Sequence, residues 1–237
     1  MPFPYLRVGK DPATIRMEKI EVRFQDGTTQ SYPGGTLLKD ILADPARQGK
    51  AADAVTAKVD GILLDLQVPL NKGGSLEWAD ISSREGLEVL RHSTSHVMAQ
   101  AVQSLFPGAK ITIGPAIREG FYYDFDFDQS FSPEDFPRIE ARMKEIIDRD
   151  LPIVRKTVSR EEALRLFQER GEPYKRELIE DLPDSEVTLY QQGDFIDLCR
   201  GPHLSSTGKI RSFKLTSVAG AYWRGDERNK MLQRIYG

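Results

Sequence analysis

Histidine and cysteine are both scarce in this chain, which has three histidines and one cysteine among 237 residues. A single cysteine excludes a disulfide within the chain and suits a reducing compartment. The sequence also lacks an apolar run of the ~20 residues that a membrane-spanning helix needs. Its first residues, Met1 to Arg7, do not show the basic segment followed by an apolar segment that marks a secretory signal. These absences predict a cytoplasmic protein that does not interact with a membrane.

A strong charge of either sign is lacking too, because 33 basic and 36 acidic residues leave a formal net charge of −3. A broad basic face is therefore not expected, and any contact with RNA has to come from a local patch. The sequence contains no P-loop, no GxGxxG dinucleotide fingerprint and no GxSxG nucleophile elbow. None of these common motifs therefore assigns a function.

The four scarce residues fall into two pairs with the same spacing, His92 with His96 and Cys199 with His203. On the helix predicted for the first pair, residues four apart have Cβ atoms roughly 5–6 Å from each other on one face. The second pair follows a predicted strand, in which Asp197 and Cys199 point to the same side. We predict that this helix face and the end of this strand meet in one site.

Each pair taken alone has an ordinary structural explanation. Histidines on a polar helix face are usually solvated, and a single cysteine usually packs as a small apolar residue. The joint occurrence of the two pairs favours a functional site instead. Three histidines with a cysteine suit a tetrahedral zinc ion, and they equally suit a metal-free site in which imidazoles orient or activate water.

Residues 18–80 have the pattern of a small separate domain, which follows a proline-containing extension at residues 1–17. Two hairpins, one helix and a last strand are predicted there. The first hairpin pairs Lys19–Phe24 with Thr28–Tyr32, and the second pairs Ala54–Val59 with Ile62–Leu66. Between them, a helix capped by Thr36 is predicted to bury Leu37, Leu38, Ile41 and Leu42. The last strand is predicted at Ser75–Trp78. This order predicts a ubiquitin-like β-grasp domain.

Residues 81–237 are predicted to form a larger α+β domain. Its first helix has capping-box spacing at Ser82–Glu85, ends at Phe106–Gly108 and places the two histidines opposite an apolar stripe. The remaining elements are a strand at Phe121–Asp128, helices that begin at Ser132 and Ser159, and strands at Val187–Tyr190, Asp194–Leu198 and Phe213–Val218. The fold class of the whole chain is therefore predicted as α+β.

Several short motifs in order resemble the N-terminal half of a bacterial threonyl-tRNA synthetase. They are His92–His96, Ile113–Ala116, Gly120–Asp124, Arg170–Lys175, Asp197–His203 and Gly220–Asp226, after the β-grasp pattern. The resemblance implies a β-grasp (TGS) domain at residues 18–80 and an editing domain at residues 81–237. The same pairing of HxxxH with CxxxH is similar to that of alanyl-tRNA synthetase editing domains and their freestanding relatives, in which the four residues hold zinc.

The resemblance implies a proofreading hydrolase that cleaves Ser-tRNA(Thr) at the 3′ aminoacyl ester. A site built for threonine excludes serine poorly, because one missing methyl group is worth only ~1–3 kcal/mol. The expected partner is tRNA(Thr), with the seryl ester as the reacting group. The complete parent protein is expected to aminoacylate tRNA(Thr) and to form a homodimer.

The resemblance also implies roles for individual residues. The expected catalytic residues are His92, His96, Lys175, Cys199 and His203. Asp197 is expected to bind the substrate ammonium group, and Tyr123 is expected to assist it. No cofactor is expected to be required, and zinc on the two histidine-containing pairs is the less favoured alternative. An ordinary surface lysine and a buried core tyrosine remain the alternative interpretations of Lys175 and Tyr123.

The sequence shows neither motif 2 nor motif 3 of a class II aminoacylation core. It is therefore expected to be either a segment that precedes the ligase core or a freestanding protein that edits in trans. The sequence is also compatible with a zinc-dependent aminoacyl-tRNA deacylase and with a non-catalytic RNA-binding module. Contacts with tRNA are expected from scattered basic residues near the cleft, such as Lys175, Arg200 and Arg224.

Overall fold

The computed structural model describes residues 18–47 and 53–237, so the predicted extension at residues 1–17 lies outside the described residues. The helices are α1 Leu38–Leu42, α2 Arg84–Leu105, α3 Phe136–Asp148, α4 Arg160–Glu169 and α5 Pro173–Glu180. The strands are β1 Lys19–Phe24, β2 Thr29–Pro33, β3 Thr36–Leu37, β4 Ala54–Val59, β5 Ile62–Leu64, β6 Pro69–Leu70, β7 Gly74–Asp80, β8 Lys110–Ile111, β9 Ala116–Ile117, β10 Gly120–Asp126, β11 Ile153–Ser159, β12 Glu186–Gln192, β13 Phe195–Leu198, β14 Ser217–Tyr222 and β15 Met231–Tyr236. Helices and sheets are mixed along the chain, as predicted.

The first sheet has the strand order β2-β1-β7-β4-β5. Strands β1 and β7 run parallel, and the other neighbours are antiparallel. Alternate residues of β1 are buried, and they pack with Leu38 and Ile41 of α1 in one apolar cluster. The two predicted hairpins and the last strand are therefore confirmed. The identification of this unit as a β-grasp domain, and the domain boundaries, stay predictions.

The predicted cap of α1 is wrong. Thr36 lies in β3, which pairs with β6, and its hydroxyl donates to the carbonyl of Pro33 at 2.7 Å. The helix begins only at Leu38 and has Leu37 at its N-cap position, without a side-chain hydrogen bond. A local bond to the preceding turn therefore competes with the capping role of the threonine.

The second sheet has the order β14-β15-β10-β8, with β9 paired to the other end of β10. Strand β10 buries Phe121, Tyr123 and Phe125 against α2 and α3 in the largest apolar cluster of the described chain. The acidic side of β10 is covered as well, because Asp124 is buried and both its oxygens bind Arg234. The strand predicted here is confirmed, but its acidic face does not meet solvent at Asp124.

The third sheet has the order β11-β12-β13 and carries α4 and α5. Ser159 caps α4 by accepting from the backbone of Glu162, as the sequence predicts. The strand predicted at Phe213–Val218 is wrong for most of its length, since β14 begins at Ser217. The backbone N–H of Leu215 donates to the Glu140 carboxylate at 2.8 Å instead of to a neighbouring strand.

The first sheet is tied to the third by hydrogen bonds from Gln67. Its amide donates to the carbonyl of Ile153 at 2.7 Å and accepts from the backbone of Arg155 at 3.1 Å. Val55 of β4 belongs to the same apolar cluster as α2. The loop after β5 is therefore held close to the elements that carry the candidate site. Within the described ranges, every helix is too short or too polar to cross a membrane.

Candidate functional site

Helix α2 carries the first histidine pair. Ser83 caps it by accepting from the backbone N–H of Gly86 at 3.0 Å, so the predicted cap at Ser82 is displaced by one residue. His92 and His96 lie on successive turns with ring centroids 5.0 Å apart. His96 is buried, and His92 is half-buried. The histidine face of α2 lies opposite the apolar stripe, as predicted, but it packs inside the protein.

Strand β13 and the loop after it carry the second pair. Asp197 and Cys199 point to the same side, and the backbone of Cys199 still donates to β12 at Thr188. The chain then turns at Gly201, whose φ of +75° favours glycine. A Cβ atom at this position would collide with the hydroxyl of Tyr190. The turn returns the chain to the histidines of α2.

The two pairs form one cluster, as the sequence predicts. The Sγ atom of Cys199 lies 3.3 Å from Nε2 of His92 and 3.3 Å from Nε2 of His203. The candidate ligand atoms of the four residues, His96 included, all lie within 4.8 Å of one another. The predicted site residues are therefore brought together from a helix and a loop that are about a hundred residues apart in the chain.

Two residues that sequence reasoning missed hold the third histidine in place. The hydroxyl of Ser93 lies 3.2 Å from Nδ1 of His203 and accepts from the backbone of Leu204 at 2.9 Å. The carboxylate of Asp65 accepts from the backbone N–H of His203 at 3.2 Å and from that of Gln67 at 2.7 Å. Ser93 lies inside the HxxxH motif, which could have drawn attention to it. Asp65 has no such signal.

A second cluster of polar side chains surrounds Asp197. Its Oδ1 lies 2.5 Å from the ammonium of Lys175, and its Oδ2 accepts from the hydroxyl of Tyr123 at 2.6 Å and lies 3.4 Å from Nε2 of His96. Burial is the largest single influence on the pKa of Asp197 and raises it, but Lys175, His96 and the hydroxyl of Tyr123 together outweigh burial and the pKa is lowered. The contact from Tyr123 is a hydrogen bond, whereas Oδ1 faces the ammonium of Lys175 but accepts no hydrogen bond from any of the described residues.

Lys175 is positioned by the start of α5. The preceding Glu172 is buried and accepts from the side chain of Gln103 at 2.6 Å and from the backbone of Ile111 at 3.1 Å. Lys175 itself is 1% exposed and also donates to the carbonyl of Thr112 at 2.5 Å. Its alternative interpretation as an ordinary surface lysine is wrong, because the start of α5 aims it inward.

The prediction that Lys175 and Arg224 contact tRNA phosphates does not agree with their placement. Lys175 is buried and paired with Asp197. Arg224 is exposed, but its guanidinium pairs with Glu177 at 2.9 Å and with Asp181 at 2.5 Å. These carboxylates satisfy the arginine and repel a phosphate.

Burial controls the protonation of the histidine cluster. It lowers the pKa of His92 to about 4 and that of His96 to about 3, and it lowers the pKa of His203 well below the ordinary value. Burial also raises the pKa of the Cys199 thiol to about 12. Without a metal, the three imidazoles are therefore neutral at pH 7 and the thiol is protonated.

The cluster has donor atoms and spacing that fit zinc. Tetrahedral Zn–S and Zn–N bonds place neighbouring ligand atoms about 3.5 Å apart, which is close to the 3.3 Å separations around Cys199. The same atoms also have protein partners. Cys199 bonds both imidazoles, His203 bonds Ser93, and His92 bonds the carbonyl of Pro202. The polar atoms of these four residues can thus be paired either with protein groups or with a metal ion.

Two cavities with no lining residue in common reach the cluster. One, of about 190 Å³, is lined by His92, Gly201 and Pro202 together with Leu63 of the first sheet. The other, of about 300 Å³, reaches Cys199. One cavity therefore gives access to His92 and the other to Cys199.

Comparison with known proteins gives the same identification over most of the chain. Residues 187–236 match the family described as "Threonyl and Alanyl tRNA synthetase second additional domain". The chain is 54% identical over 221 residues to the threonine–tRNA ligase of Citrifermentans bemidjiense, covering 93% of the chain and 35% of that protein. It is 55% identical over 216 residues to the enzyme of Rubrobacter xylanophilus, covering 91% of the chain and 33% of that protein. The chain thus spans about a third of the length of the curated relatives that it matches, and the predicted resemblance is confirmed.

Proposed function

We propose that this chain, which corresponds to an editing-domain region of threonyl-tRNA synthetases, hydrolyses the seryl ester of Ser-tRNA(Thr). The observation that carries the proposal is the meeting of His92, His96, Cys199 and His203 in one cluster beside a buried carboxylate. Hydrolysis of an ester needs a positioned water, a group that moves its proton and stabilisation of the developing oxyanion. The cluster and the Asp197 neighbourhood supply groups for each requirement.

A neutral imidazole has a nitrogen lone pair that can accept a proton from water. The oxygen of water forms a bond to the ester carbonyl carbon, and an imidazole of the cluster takes the proton that water loses. The bond from that carbon to the ribose 3′ oxygen then breaks, and the 3′ oxygen receives the proton. The products are free serine and deacylated tRNA. We assign the proton transfer to His92 and His203, with His96 orienting the water.

The protonated thiol of Cys199 suits a hydrogen-bonding role. A thiol whose pKa is raised to about 12 supplies little thiolate at pH 7. We therefore propose that water, and not sulfur, attacks the ester. Cys199 donates to an imidazole and keeps the rings of His92 and His203 in register, since it contacts both.

Asp197 and Lys175 act as a pair in this proposal. Oδ1 of Asp197 accepts no hydrogen bond from the described residues, and in this proposal it accepts the ammonium group of the seryl ester. The charge of Lys175 keeps the carboxylate ionised, and we propose that it also stabilises the developing oxyanion. Tyr123 holds Asp197 in place, because its hydroxyl donates to Oδ2.

Single-turnover hydrolysis tests the proposed function. Ser-tRNA(Thr) mixed with excess protein should lose its seryl group much faster than in buffer alone. A non-catalytic RNA-binding module would bind the RNA and leave the ester intact. Intact ester after prolonged incubation with a folded sample would therefore contradict the proposal.

Metal content provides a separate prediction. We expect the purified protein to contain much less than one zinc ion per chain, because Asp197 lies two residues before Cys199, as in the threonyl rather than the alanyl type of editing domain. If bound, zinc would be held by His92, His96, Cys199 and His203 and would supply Lewis acidity to water. Elemental analysis before and after mild chelation measures the metal, with the Cys199→Ser variant as control. Stoichiometric zinc that resists the chelator, and that the variant loses, would show that the cluster is a zinc site.

A further inference from the structure

A groove with several arginines runs along α2 toward the histidine cluster. Its cavity has a volume of about 670 Å³. The charged residues that line it are Arg84, Glu88, Arg91 and Arg118. The smaller cavity beside His92 shares Glu88 and Ala116 with this groove, so the two are neighbours. We call this surface the α2 groove; it carries three positive charges and one negative charge.

Two of the arginines are free to meet a ligand. Arg84 and Arg118 are exposed, and neither belongs to an ion pair found among residues 18–47 and 53–237. Arg91 donates to the carbonyl of Arg118 at 2.7 Å, which holds the turn between β9 and β10 against α2. A guanidinium has five N–H donors, so Arg91 keeps donors beyond this bond.

The charge of Arg84 is not explained by the stability of its helix. Arg84 is the first residue of α2, where the helix dipole disfavours a positive side chain and favours an acidic one such as Glu85. The arginine therefore lies there at a small cost to the helix. A bound anion in the groove would offset this cost and would also neutralise the excess positive charge.

The α2 groove and the cavity at Cys199 differ in the charge of the residues that line them. The cavity at Cys199 is lined by Asp184, Glu186 and Arg200, which leave an excess of one negative charge. A phosphate backbone is repelled there and attracted to the α2 groove. The predicted phosphate contact of Arg200 is thus disfavoured by its neighbours.

We propose that the α2 groove binds the phosphates of the single-stranded RNA next to the reacting 3′ end. This inference rests on the proposed function, because it takes the terminal nucleoside to lie in the cavity beside His92. Arg84 and His92 are eight positions apart, which is ~12 Å along a helix. Arg84 and Arg118 bind the phosphates, and the apolar side chain of Ile117, which lines the groove, meets a base.

The test compares two double variants of matched charge. Arg84→Gln with Arg118→Gln removes two positive charges from the groove, and Lys209→Gln with Arg211→Gln removes two from exposed residues outside it. The probe is an RNA hairpin with a single-stranded, seryl-esterified 3′ end. Each single-strand phosphate contact contributes about 0.7 to the slope of log K against log salt concentration. The groove variant should therefore lose about 1.4 of this slope and bind roughly tenfold more weakly, while the control pair should not change.

A second substrate separates failure of the groove from failure of the proposed function. Seryl adenosine, esterified at the 3′ oxygen, carries the reacting ester without a phosphate chain. Wild type and the groove variant should hydrolyse it at equal rates, which also shows that the variant is folded. If the groove variant keeps the wild-type salt slope and hydrolyses the ester normally, the α2 groove does not bind the phosphates. The proposed hydrolysis is then not contradicted. If wild type cleaves neither ester, the proposed function is wrong. The salt dependence of binding, measured with the hairpin that carries no amino acid, then still shows whether the α2 groove binds RNA. Arg118→Glu, in an exposed turn, serves if the double variant does not fold.

Discussion

Replacing His203 with alanine should reduce the single-turnover rate of seryl-ester hydrolysis by the ~10²–10⁴ expected for a lost general acid or base. His203 contacts the thiol of Cys199 through Nε2 and the hydroxyl of Ser93 through Nδ1, so its ring is fixed for proton transfer. His92→Ala should lower the rate by a similar factor. Binding of tRNA should change little, because neither imidazole carries charge at pH 7.

The His203→Asn variant provides the control for loss of structure. Its amide can still bond Ser93 but cannot move a proton at neutral pH. Rates and urea unfolding curves should be measured for both substitutions. Equal loss of rate with Asn and Ala, at nearly wild-type stability for Asn, supports a chemical role. Full activity after replacement of both His92 and His203 would show that the chemistry lies on other residues.

The second large effect concerns stability. Lys175→Met should destabilise the protein by ~3–5 kcal/mol, because it leaves the Asp197 carboxylate buried without its cation. Both side chains are almost fully buried, at 2% and 1% exposure, and their charged atoms lie 2.5 Å apart. Solvent therefore screens this pair very little. Urea unfolding followed by circular dichroism measures the change.

A double variant distinguishes the ion pair from simple packing. Asp197→Asn together with Lys175→Met removes both charges and keeps the side-chain volumes nearly unchanged. The double variant should recover much of the stability that Lys175→Met loses, since no unpaired charge remains. If instead the losses of stability measured for Lys175→Met and for Asp197→Asn alone add up in the double variant, the two side chains do not interact as described. Hydrolysis should stay low in both variants, because Lys175→Met removes the cation beside the Asp197 carboxylate and the double variant removes the carboxylate itself.

The histidine cluster could be predicted because rare residues recur at a spacing that fixes geometry. His92 and His96 share a helix face wherever α2 is regular, and the strand before Cys199 sets the direction of Asp197. The order of hairpins, helices and strands followed from apolar periods and turn residues. These signals are local, so they can be recognised without knowledge of the tertiary structure.

The support of the site could not be predicted, because it depends on contacts distant in sequence. Asp65 belongs to the loop after β5 and binds the backbone of His203 from another sheet. The burial of Lys175 depends on Glu172, which is itself fixed by Gln103 of α2. A single sequence carries no local sign of either contact.

Besides the two-residue strands β3, β6, β8 and β9, three longer elements were missed for local reasons. Strand β11 has the sequence IVRKTVS and buries only Ile153 fully, so its apolar alternation is weak. Helix α5 has only eight residues, which is too short for a clear helical period. The pairing partner of β14 is β15, which forms the end of the described chain and was not expected as a strand.

The ratio of hydrolysis rates for Ser-tRNA(Thr) and Thr-tRNA(Thr) tests the central claim most directly. Both esters share the same RNA, so only the γ-methyl group differs and RNA binding cancels from the comparison. The protein should cleave the seryl ester and leave the threonyl ester nearly untouched, because a rigid pocket can reject an added methyl group sterically. Equal rates for the two esters, or no hydrolysis of either, would contradict the account.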